Sequence, residues 1–380
     1  MKVLHLHDSP HILGGATVYL RRLLPEMQSR GVENWLYSLD RPGVELCRQC
    51  DYFPYVWPDS AWKRRRDFHH FHKPLADHFR NFISEVKPDL IHLQNVAAFR
   101  STLFPSAGKS GVPVLMTVHD FSLSDPNPHG LPRQGWSGKA KQWLDQRSLS
   151  KSRRLAFQHV DRFLCPTEAL RQGVAFPAEK SEVLRLPIAR AEASPLPPLP
   201  LKLFFAGTLY RSKGVDVLLQ ALALADGKAK QAQLDIAGEG DQNDALQAQV
   251  QELGLDSRVR FLGYLKGQAM EDAYQRANLQ VLPSRVPENS PLTVLESGAR
   301  GRPSVASHAG GVPELIEPPS RGWTFANEDP QALAKVFEEA AENPQALADR
   351  GQAMQAWVRH NFDPTHHWDA VHQHYKDLAL

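Results

Sequence analysis

The sequence of 380 residues contains no long hydrophobic run, few cysteines and little net charge. No run of about 18 or more apolar residues is present, and residues 2–6 already form a strand-like pattern, so we expect neither a transmembrane span nor a signal peptide. The three cysteines fit a reducing compartment, and a net charge of +2 by itself indicates no nucleic-acid partner. We therefore expect a cytoplasmic protein, and its length favours two domains.

Several motifs that define cofactor or metal sites are also missing. Gly14 and Gly15 are not followed by the G-x-G-x-x-G pattern of dinucleotide sites, and residues 206–214 lack the order of a Walker loop. No D-x-D-type metal motif is evident. Cys47 and Cys50 form a lone C-x2-C, which two helical cysteines one turn apart explain, with a redox or metal role as the alternative. We therefore expect no cofactor and no metal.

The positive charge is concentrated in two stretches. Residues 58–80 contain six Lys/Arg and three Asp/Glu, and residues 133–154 contain seven Lys/Arg and one Asp/Glu, with aromatic residues interleaved. The rest of the chain has 31 basic and 38 acidic residues, a net charge of −7. Basic residues mixed with aromatics predict contact with an anionic membrane, at its inner face, or with a phosphorylated acceptor. The alternative is a pair of solvated surface helices whose aromatic residues lie in the core.

Short apolar strand candidates alternate with helical segments, which predicts parallel sheets wrapped by helices. In the first half the candidates are residues 3–6, 35–37, 90–93, 114–118 and 162–165, and in the second half residues 201–205, 234–236, 259–262, 279–282 and 304–306. A proline-rich connector, residues 187–200, separates the two series. We expect two α/β domains, residues 1–190 and 191–360, that face a cleft, with a C-terminal helix over residues 361–380.

Polar residues follow several strands of the first half. Gly14 and Gly15 allow close approach of a ligand to the backbone, and residues 124–138 are expected to form a long loop. His119 and Asp120 follow the fourth strand candidate, where the carboxyl ends of parallel strands line a ligand crevice. The alternative for His119 is a structural histidine whose neighbouring Asp caps a turn.

In the second half, residues 281–301 combine a strand end, a carboxylate and a helix start. Ser290 is predicted as the N-cap and Pro291 as the first helical residue, so that a phosphate would sit at the helix N-terminus. Glu288 lies in the loop, and Glu296 lies on an otherwise apolar helix face, where a charge needs a partner.

Three further loops follow strands of this half. Arg211 and Lys213 precede a helix start and suit a diphosphate, although a surface turn with two solvated cations explains them equally well. The glycines of residues 237–240 and 310–311 predict backbone N–H groups that turn inward as nests for anions.

In combination and in this order, the motifs resemble the retaining GT-B glycosyltransferases of glycosyltransferase family 4 (glycosyl transferases group 1). Glu288 and Glu296 match the E-x7-E pattern of that family, and residues 207–214 look like its phosphate loop. Residues 237–240 and 310–314 look like its flanking signatures, and Gly14, Gly15 and His119 are similar to its glycine loop and active-site histidine. The resemblance covers essentially the whole chain.

The resemblance implies two Rossmann-like doubly wound domains facing a central cleft, and a C-terminal helix that crosses back onto the first domain. It implies a hexosyltransferase of the EC 2.4 type that acts without a metal and with retention of configuration. The donor would be a nucleotide-sugar of the UDP or GDP type, held by the second domain, and the acceptor a glycan or lipid-linked molecule in polysaccharide or glycoconjugate biosynthesis. A nucleotide-sugar epimerase or hydrolase of the same fold, and a non-catalytic binding module, are the alternatives.

The resemblance also implies a role for each site residue. Glu296 would hold the ribose hydroxyls, Lys213 the diphosphate, Glu288 the donor sugar, and His119 the sugar near the reacting carbon. The remaining predicted donor-binding residues are Gly14, Gly15, Gly207, Thr208, Arg211, Glu239, Tyr264, Leu265, Pro291, Leu292 and Thr293.

Two residues depart from the family pattern. Thr208 stands where family members commonly carry Arg, and Arg211 is expected to substitute for it. Pro291 stands where a glycine is often found between the two glutamates.

Overall fold

The computed structural model describes the chain except for residues 9–13, 40–46, 48, 54–69, 97 and 126–134 and the side chains of residues 135–142 and 144. The described residues form two units. The first unit contains the described residues up to Leu186 together with Thr365–Leu380, and the second unit contains Pro187–Pro364. About half of each basic stretch, residues 58–80 and 133–154, lies outside the described residues and side chains, so the predicted membrane contact stays a prediction.

The first unit contains a seven-stranded parallel sheet. Its strands are β1 (Lys2–Leu6), β2 (Glu33–Ser38), β3 (Cys50–Tyr52), β4 (Leu90–Leu93), β5 (Val114–Thr117), β6 (Arg162–Cys165) and β7 (Ser181–Val183), in the order β3-β2-β1-β4-β5-β6-β7. Its helices before the second unit are α1 (Gly15–Ser29), α2 (Lys73–Val86), α3 (Arg100–Gly108), α4 (Gly135–His159) and α5 (Glu168–Val174). The order reverses between β1 and β4, the point where ligands bind in doubly wound sheets.

The second unit contains a six-stranded parallel sheet. Its strands are β8 (Lys202–Ala206), β9 (Gln233–Ala237), β10 (Val259–Gly263), β11 (Leu279–Leu282), β12 (Ser304–Ser307) and β13 (Gly322–Phe325), in the order β10-β9-β8-β11-β12-β13. Its helices are α6 (Val215–Leu224), α7 (Asn243–Glu252), α8 (Gln268–Arg276), α9 (Leu292–Ala299), α10 (Val312–Ile316), α11 (Pro330–Glu342) and α12 (Pro344–Asn361). Here the order reverses between β8 and β11.

The last helix, α13 (Pro364–Ala379), belongs to the core of the first unit. Its buried Trp368, Val371 and Tyr375 share one apolar cluster with Tyr19 and Leu23 of α1. The two doubly wound α/β units and this helix confirm the predicted fold class. The chain leaves the first unit at residue 186 and returns at 365, whereas the sequence places these boundaries at 190 and 360.

The helices and strands differ from the sequence predictions at several places. The predicted helix that would bring Cys47 and Cys50 one turn apart is wrong, because Cys50 opens β3 and Cys47 Sγ donates to Asn34 O at 3.5 Å. The predicted loop of residues 124–138 ends too late, since α4 begins at Gly135. The strands β3, β7 and β13 were not predicted at all.

Candidate functional site

The loops after β8 and β11 meet at the reversal point of the second sheet. Lys213 ends a short 3-10 turn after β8, and Glu288 lies after β11. Their side chains form an ion pair, with Lys213 Nζ at 2.7 Å from Glu288 Oε1, and are 26% and 18% exposed. A charge pair that is partly shielded but still open to solvent at a switch point is suited to binding an anionic ligand.

Ser284 and Arg285 hold this pair in place, and no sequence motif indicates their role. Ser284 Oγ donates to Glu288 Oε1 at 2.8 Å. The Arg285 guanidinium binds Asp216 at 2.6 and 2.7 Å and donates to the carbonyl of Arg211 at 2.8 Å. These bonds join the loop after β11 to the start of α6, so that Lys213 and Glu288 are presented by loops with little freedom.

Two glycines allow the loops to pack this closely. A Cβ at Gly214, which has a φ of +68°, would lie 2.0 Å from the carbonyl oxygen of Pro283. A Cβ at Gly310, with a φ of +62°, would lie 2.2 Å from the carbonyl oxygen of Glu288. Both positions therefore require glycine, because the left-handed region and the missing space each exclude a side chain.

Helix α9 begins at Leu292, and the loop that carries Glu288 leads into it. Pro291 is its N-cap residue, with an extended ψ of 111°, and the helix starts at Leu292. The prediction of Ser290 as N-cap and Pro291 as the first helical residue is therefore wrong by one position, and Ser290 Oγ makes no hydrogen bond among the described residues. The amides of Leu292 and Thr293 have no intrahelical acceptor, as at every helix start, and can receive an anion.

The second carboxylate of the motif, Glu296, has the partner that its position on an apolar face requires. The hydroxyl of Tyr274, on α8, donates to Glu296 Oε2 at 3.1 Å. Arg300, one turn further along α9, donates to the carbonyl of Glu296 at 2.7 Å and to Glu271 Oε2 at 2.8 Å. The sequence alone did not indicate Tyr274, which lies 22 residues from Glu296.

The other predicted donor-binding residues of this unit lie in loops at the same edge of the sheet. Gly207 and the exposed Thr208 and Arg211 follow β8, the exposed Glu239 follows β9, and the exposed Tyr264 with the half-buried Leu265 follows β10. The prediction of inward-turned anion nests is wrong at two amides. Gly238 N donates to Gly263 O at 2.8 Å and Gly311 N to Glu288 O at 2.7 Å, because neighbouring loops already use these donors.

His119 lies after β5 of the first sheet, in a polar cluster at the carboxyl edge. Its Nε2 is 3.2 Å from Gln94 Oε1, and its ring meets the Tyr19 ring edge-on at a centroid distance of 5.2 Å. Burial and the neighbouring His7 lower the pKa of His119 to about 3, against a weaker opposing effect of Asp120. The imidazole is therefore neutral at pH 7, and since the amide oxygen can only accept, Nε2 carries the hydrogen.

The glycine loop after β1 is described only in part. Gly14 and Gly15 are exposed at the start of α1, while residues 9–13 lie outside the described residues. Asp8 links the end of β1 to the segment that follows β4. Its amide donates to Asn95 O at 2.9 Å, and its carboxylate accepts from the amide of Ala98 at 2.8 Å. The two strand ends on either side of the reversal point are thus bonded to each other.

A chain of buried hydrogen bonds runs beneath His119 and was not predicted. Tyr375 Oη and Thr117 Oγ1 lie 2.6 and 2.9 Å from the two ring nitrogens of His92. Thr117 bonds the Tyr19 hydroxyl, which donates at 3.0 Å to Nε2 of His367. One end of the chain fixes which atom donates in the next bond. Because a carbonyl can only accept, Nδ1 of His367 donates to the carbonyl of Arg185 at 2.7 Å, and Nε2 of the neutral ring is left to accept from Tyr19.

This chain, the Tyr375–Arg185 relay, requires neutral histidines. Burial lowers the pKa of His367 to about 3 and that of His92 well below 6.5, so both rings are neutral at pH 7. His367 lies on the last helix but is only 4% exposed, so its ring belongs to the interior of the first unit.

The described residues contain no group of three or more His, Cys, Asp or Glu side chains arranged to hold a metal ion. The helices within the described ranges include none that is long and apolar enough to cross a membrane.

Two family models match consecutive parts of the chain. The model described as Glycosyltransferase Family 4 matches residues 13–188, and the model described as Glycosyl transferases group 1 matches residues 190–357. The first match lies in the unit with His119, and the second contains the Lys213, Glu288 and Glu296 loops.

Curated relatives include an uncharacterised 42.6 kDa protein of the cps region of Klebsiella pneumoniae, 26% identical over 80% of this chain and 84% of its own length. The glycogen synthase of Mycobacterium tuberculosis is 32% identical over 45% of this chain and 40% of its own length. An amylovoran biosynthesis glycosyltransferase of Erwinia amylovora is 28% identical over 42% of both chains.

Solved structures show the same fold over the whole chain at low identity. Anabaena HepE in complex with UDP has a TM-score of 0.77 at 19% identity, covering 99% of this chain and 100% of HepE. The sucrose-phosphate synthase of Thermosynechococcus elongatus has a TM-score of 0.76 at 18% identity, covering 99% and 98% of the two chains.

Proposed function

Because the chain belongs to the group 1 glycosyltransferases, we propose that it transfers a hexose from a nucleotide-sugar to a glycan or lipid-linked acceptor, without a metal and with retention of configuration. The observation that carries this proposal is the Lys213–Glu288 ion pair at the reversal point of the second sheet, with Glu288 in the loop that leads into α9. The second unit would hold the donor, and the first would hold the acceptor and supply His119. The relative in amylovoran biosynthesis supports a role in polysaccharide assembly.

The diphosphate is the group that the second unit is best equipped to bind. The Lys213 ammonium, the N-terminus of α9 and the amides of Leu292 and Thr293 all favour an anion. When the bond between the sugar carbon and the diphosphate oxygen breaks, its electron pair goes to the diphosphate. The acceptor hydroxyl forms the new bond to that carbon, and its proton passes to the departing diphosphate. Donors fixed near the diphosphate stabilise the charge that develops there, which is how a site without a metal can lower the barrier.

Donor binding would redistribute the bonds of the ion pair. Lys213 Nζ now lies 2.7 Å from Glu288 Oε1, and a diphosphate would compete for the ammonium. Glu288 keeps the Ser284 hydroxyl as a donor and would accept from a sugar hydroxyl in place of Lys213. His119 would form a hydrogen bond with the donor sugar through a neutral ring, because its pKa of about 3 leaves the imidazole uncharged at pH 7.

The nucleotide is proposed to be of the UDP or GDP type, and UDP is the first to test, because HepE has been solved with UDP and with UDP-glucose. Thermal unfolding of the full chain would be followed with a panel of UDP- and GDP-sugars. A nucleotide-sugar that binds the native state raises the unfolding temperature by mass action.

The site is tested with Lys213→Ala and Glu296→Ala, each expected to lower donor affinity about 10- to 100-fold, as for other hydrogen bonds to charged groups. Lys228→Ala is the matched control, since Lys228 pairs with Glu342 at 59% and 58% exposure outside these loops. Unchanged donor affinity in both site variants would rule out the proposed site. Turnover of the donor without any acceptor would instead indicate a hydrolase or epimerase.

A further inference from the structure

Tyr274 is a buried tyrosine whose hydroxyl reaches the candidate nucleotide site. Its side chain is 1% exposed, and its hydroxyl donates to Glu296 Oε2 at 3.1 Å. Burial and the adjacent Glu296 carboxylate raise the pKa of Tyr274 well above 10, so the phenol keeps its proton and remains a donor. A buried hydroxyl with one partner gives that partner a defined orientation.

The ring that carries this hydroxyl is itself in contact with two neighbouring side chains. The Phe204 ring contacts it edge-on at a centroid distance of 5.1 Å, and the Arg300 guanidinium lies 4.8 Å from its centre. Arg300 is in turn held by Glu271 and by the backbone carbonyl of Glu296. The phenol and the residue that it binds therefore belong to one connected group.

The backbone beneath Glu296 is fixed from the opposite side of α9. A Cβ at Gly298 would lie 2.6 Å from the side chain of Met354 on α12, so the two helices are in close contact there. With the helix fixed, the remaining freedom of the Glu296 carboxylate lies in its side-chain torsions. The Tyr274 hydroxyl, 3.1 Å from Oε2, limits these torsions.

We propose that Tyr274 is a positioning residue that orients the Glu296 carboxylate toward the ribose hydroxyls and so makes the site select ribonucleotides over nucleotides that lack these hydroxyls. This inference rests on the proposed function, in which Glu296 holds the ribose. Tyr274 does not touch the ligand, and its effect passes through Glu296.

The test compares Tyr274→Phe with the unchanged full chain, using UDP and 2′,3′-dideoxy-UDP, or the GDP pair if the chain binds GDP. The variant keeps the ring and its contacts with Phe204 and Arg300 and loses only the hydroxyl. Titration calorimetry is expected to show about three- to tenfold weaker binding of the ribonucleotide. Binding of the dideoxy nucleotide is expected to change by less than about twofold.

A double-mutant cycle separates positioning from general loosening of the site. If Tyr274 acts through Glu296, the double variant Tyr274→Phe/Glu296→Gln binds the ribonucleotide no more weakly than Glu296→Gln alone. Tyr37→Phe is the matched control, because it removes a different buried hydroxyl, which lies 3.0 Å from His78 Nδ1 in the first unit, and it should leave both affinities unchanged.

Three results would overturn the inference. Equal losses for the ribose and dideoxy nucleotides would mean that Tyr274 only supports the fold of the site. Unchanged or tighter ribonucleotide binding in Tyr274→Phe would mean that its hydroxyl does not orient Glu296. Failure of the unchanged chain to bind either UDP or GDP would overturn the proposed function and this inference together, and is recognised before any variant is made.

Discussion

Acidification is expected to destabilise the first unit, because several of its histidines are buried and neutral. His5 and His7 have pKa values lowered to about 4, mainly by burial, and that of His367 is lowered to about 3. Burial also holds the pKa of His92 well below 6.5. These four side chains are at most 4% exposed.

The sign follows from proton uptake by the unfolded chain. Between pH 6.5 and about 4, each of these histidines binds a proton when unfolded but not when folded, so stability falls as the pH falls. Above pH 6.5 both states are neutral and their full contribution is present. His5, His7 and His367 each lower the stability by about 2 kcal/mol between pH 7 and pH 5, about 6 kcal/mol for the three together, and His92 adds to this loss. A loss of that size is comparable with the whole unfolding free energy of a typical domain, roughly 5–15 kcal/mol.

Hydrogen exchange measured by mass spectrometry at pH 7.5, 6.5 and 5.5, corrected for the intrinsic exchange rate, reports on each unit separately. Protection of β1, β4, β5 and α13 is expected to fall steeply with pH. The second unit is the internal control, because its His308 and His360 are exposed. Equal protection of the first unit at all three pH values, or an earlier loss in the second unit, would refute the reasoning.

Three substitutions test other features of the second unit. Gly214→Ala should destabilise it by more than about 1 kcal/mol in urea unfolding, since the added Cβ would lie 2.0 Å from a carbonyl oxygen. Gly254→Ala is its control, because Gly254 has a similar φ of +65° and nothing within 4 Å, so that this variant measures the cost of the backbone angle alone. Arg302→Met should lower the unfolding free energy by about 3 kcal/mol or more in the same assay, because the fully buried guanidinium donates to several backbone carbonyls that would lose their partner. A change below about 1 kcal/mol would contradict this. Ser284→Ala should weaken nucleotide-sugar binding about threefold with an unchanged unfolding free energy, because it removes one hydrogen-bond donor to Glu288. Equal nucleotide-sugar affinity would show that the hydroxyl is dispensable.

The sequence predicted the central strands of both sheets but missed three strands at their edges. Strands such as β1, β5 and β11 are covered on both faces, and most of their residues are apolar. The missed strands β3, β7 and β13 are all edge strands of their sheets. β3 and β7 are only three residues long, and neither contains an apolar run.

The predicted site residues came from loops with recognisable motifs, whereas the residues that hold them did not. Lys213, Glu288 and Glu296 could be singled out because charges in loops after strands, or on an apolar helix face, need an explanation. Tyr274 and Ser284 are uncharged residues that belong to no recognisable motif. Their role depends on which atoms meet in space, and hydrophobic periodicity has no information about that.

The buried histidines escaped prediction for a related reason. His5 and His92 occupy central strands among apolar residues, and a polar side chain in such a run gives no sign of its partner. Asn34 Oδ1 for His5 at 3.0 Å, and Tyr375 and Thr117 for His92, come from distant parts of the chain. The Tyr375–Arg185 relay is therefore a tertiary feature.

The membership of α13 in the first unit has a consequence for biosynthesis. During translation the ribosome completes the first 186 residues, then the whole second unit, and only afterwards the helix whose Trp368, Val371 and Tyr375 fill the first core. The second unit can thus fold as soon as it emerges, while the earlier part of the chain must wait with an incomplete core. A nascent chain stalled before residue 365 would expose apolar surface on its N-terminal part, which makes that part the natural client of a chaperone.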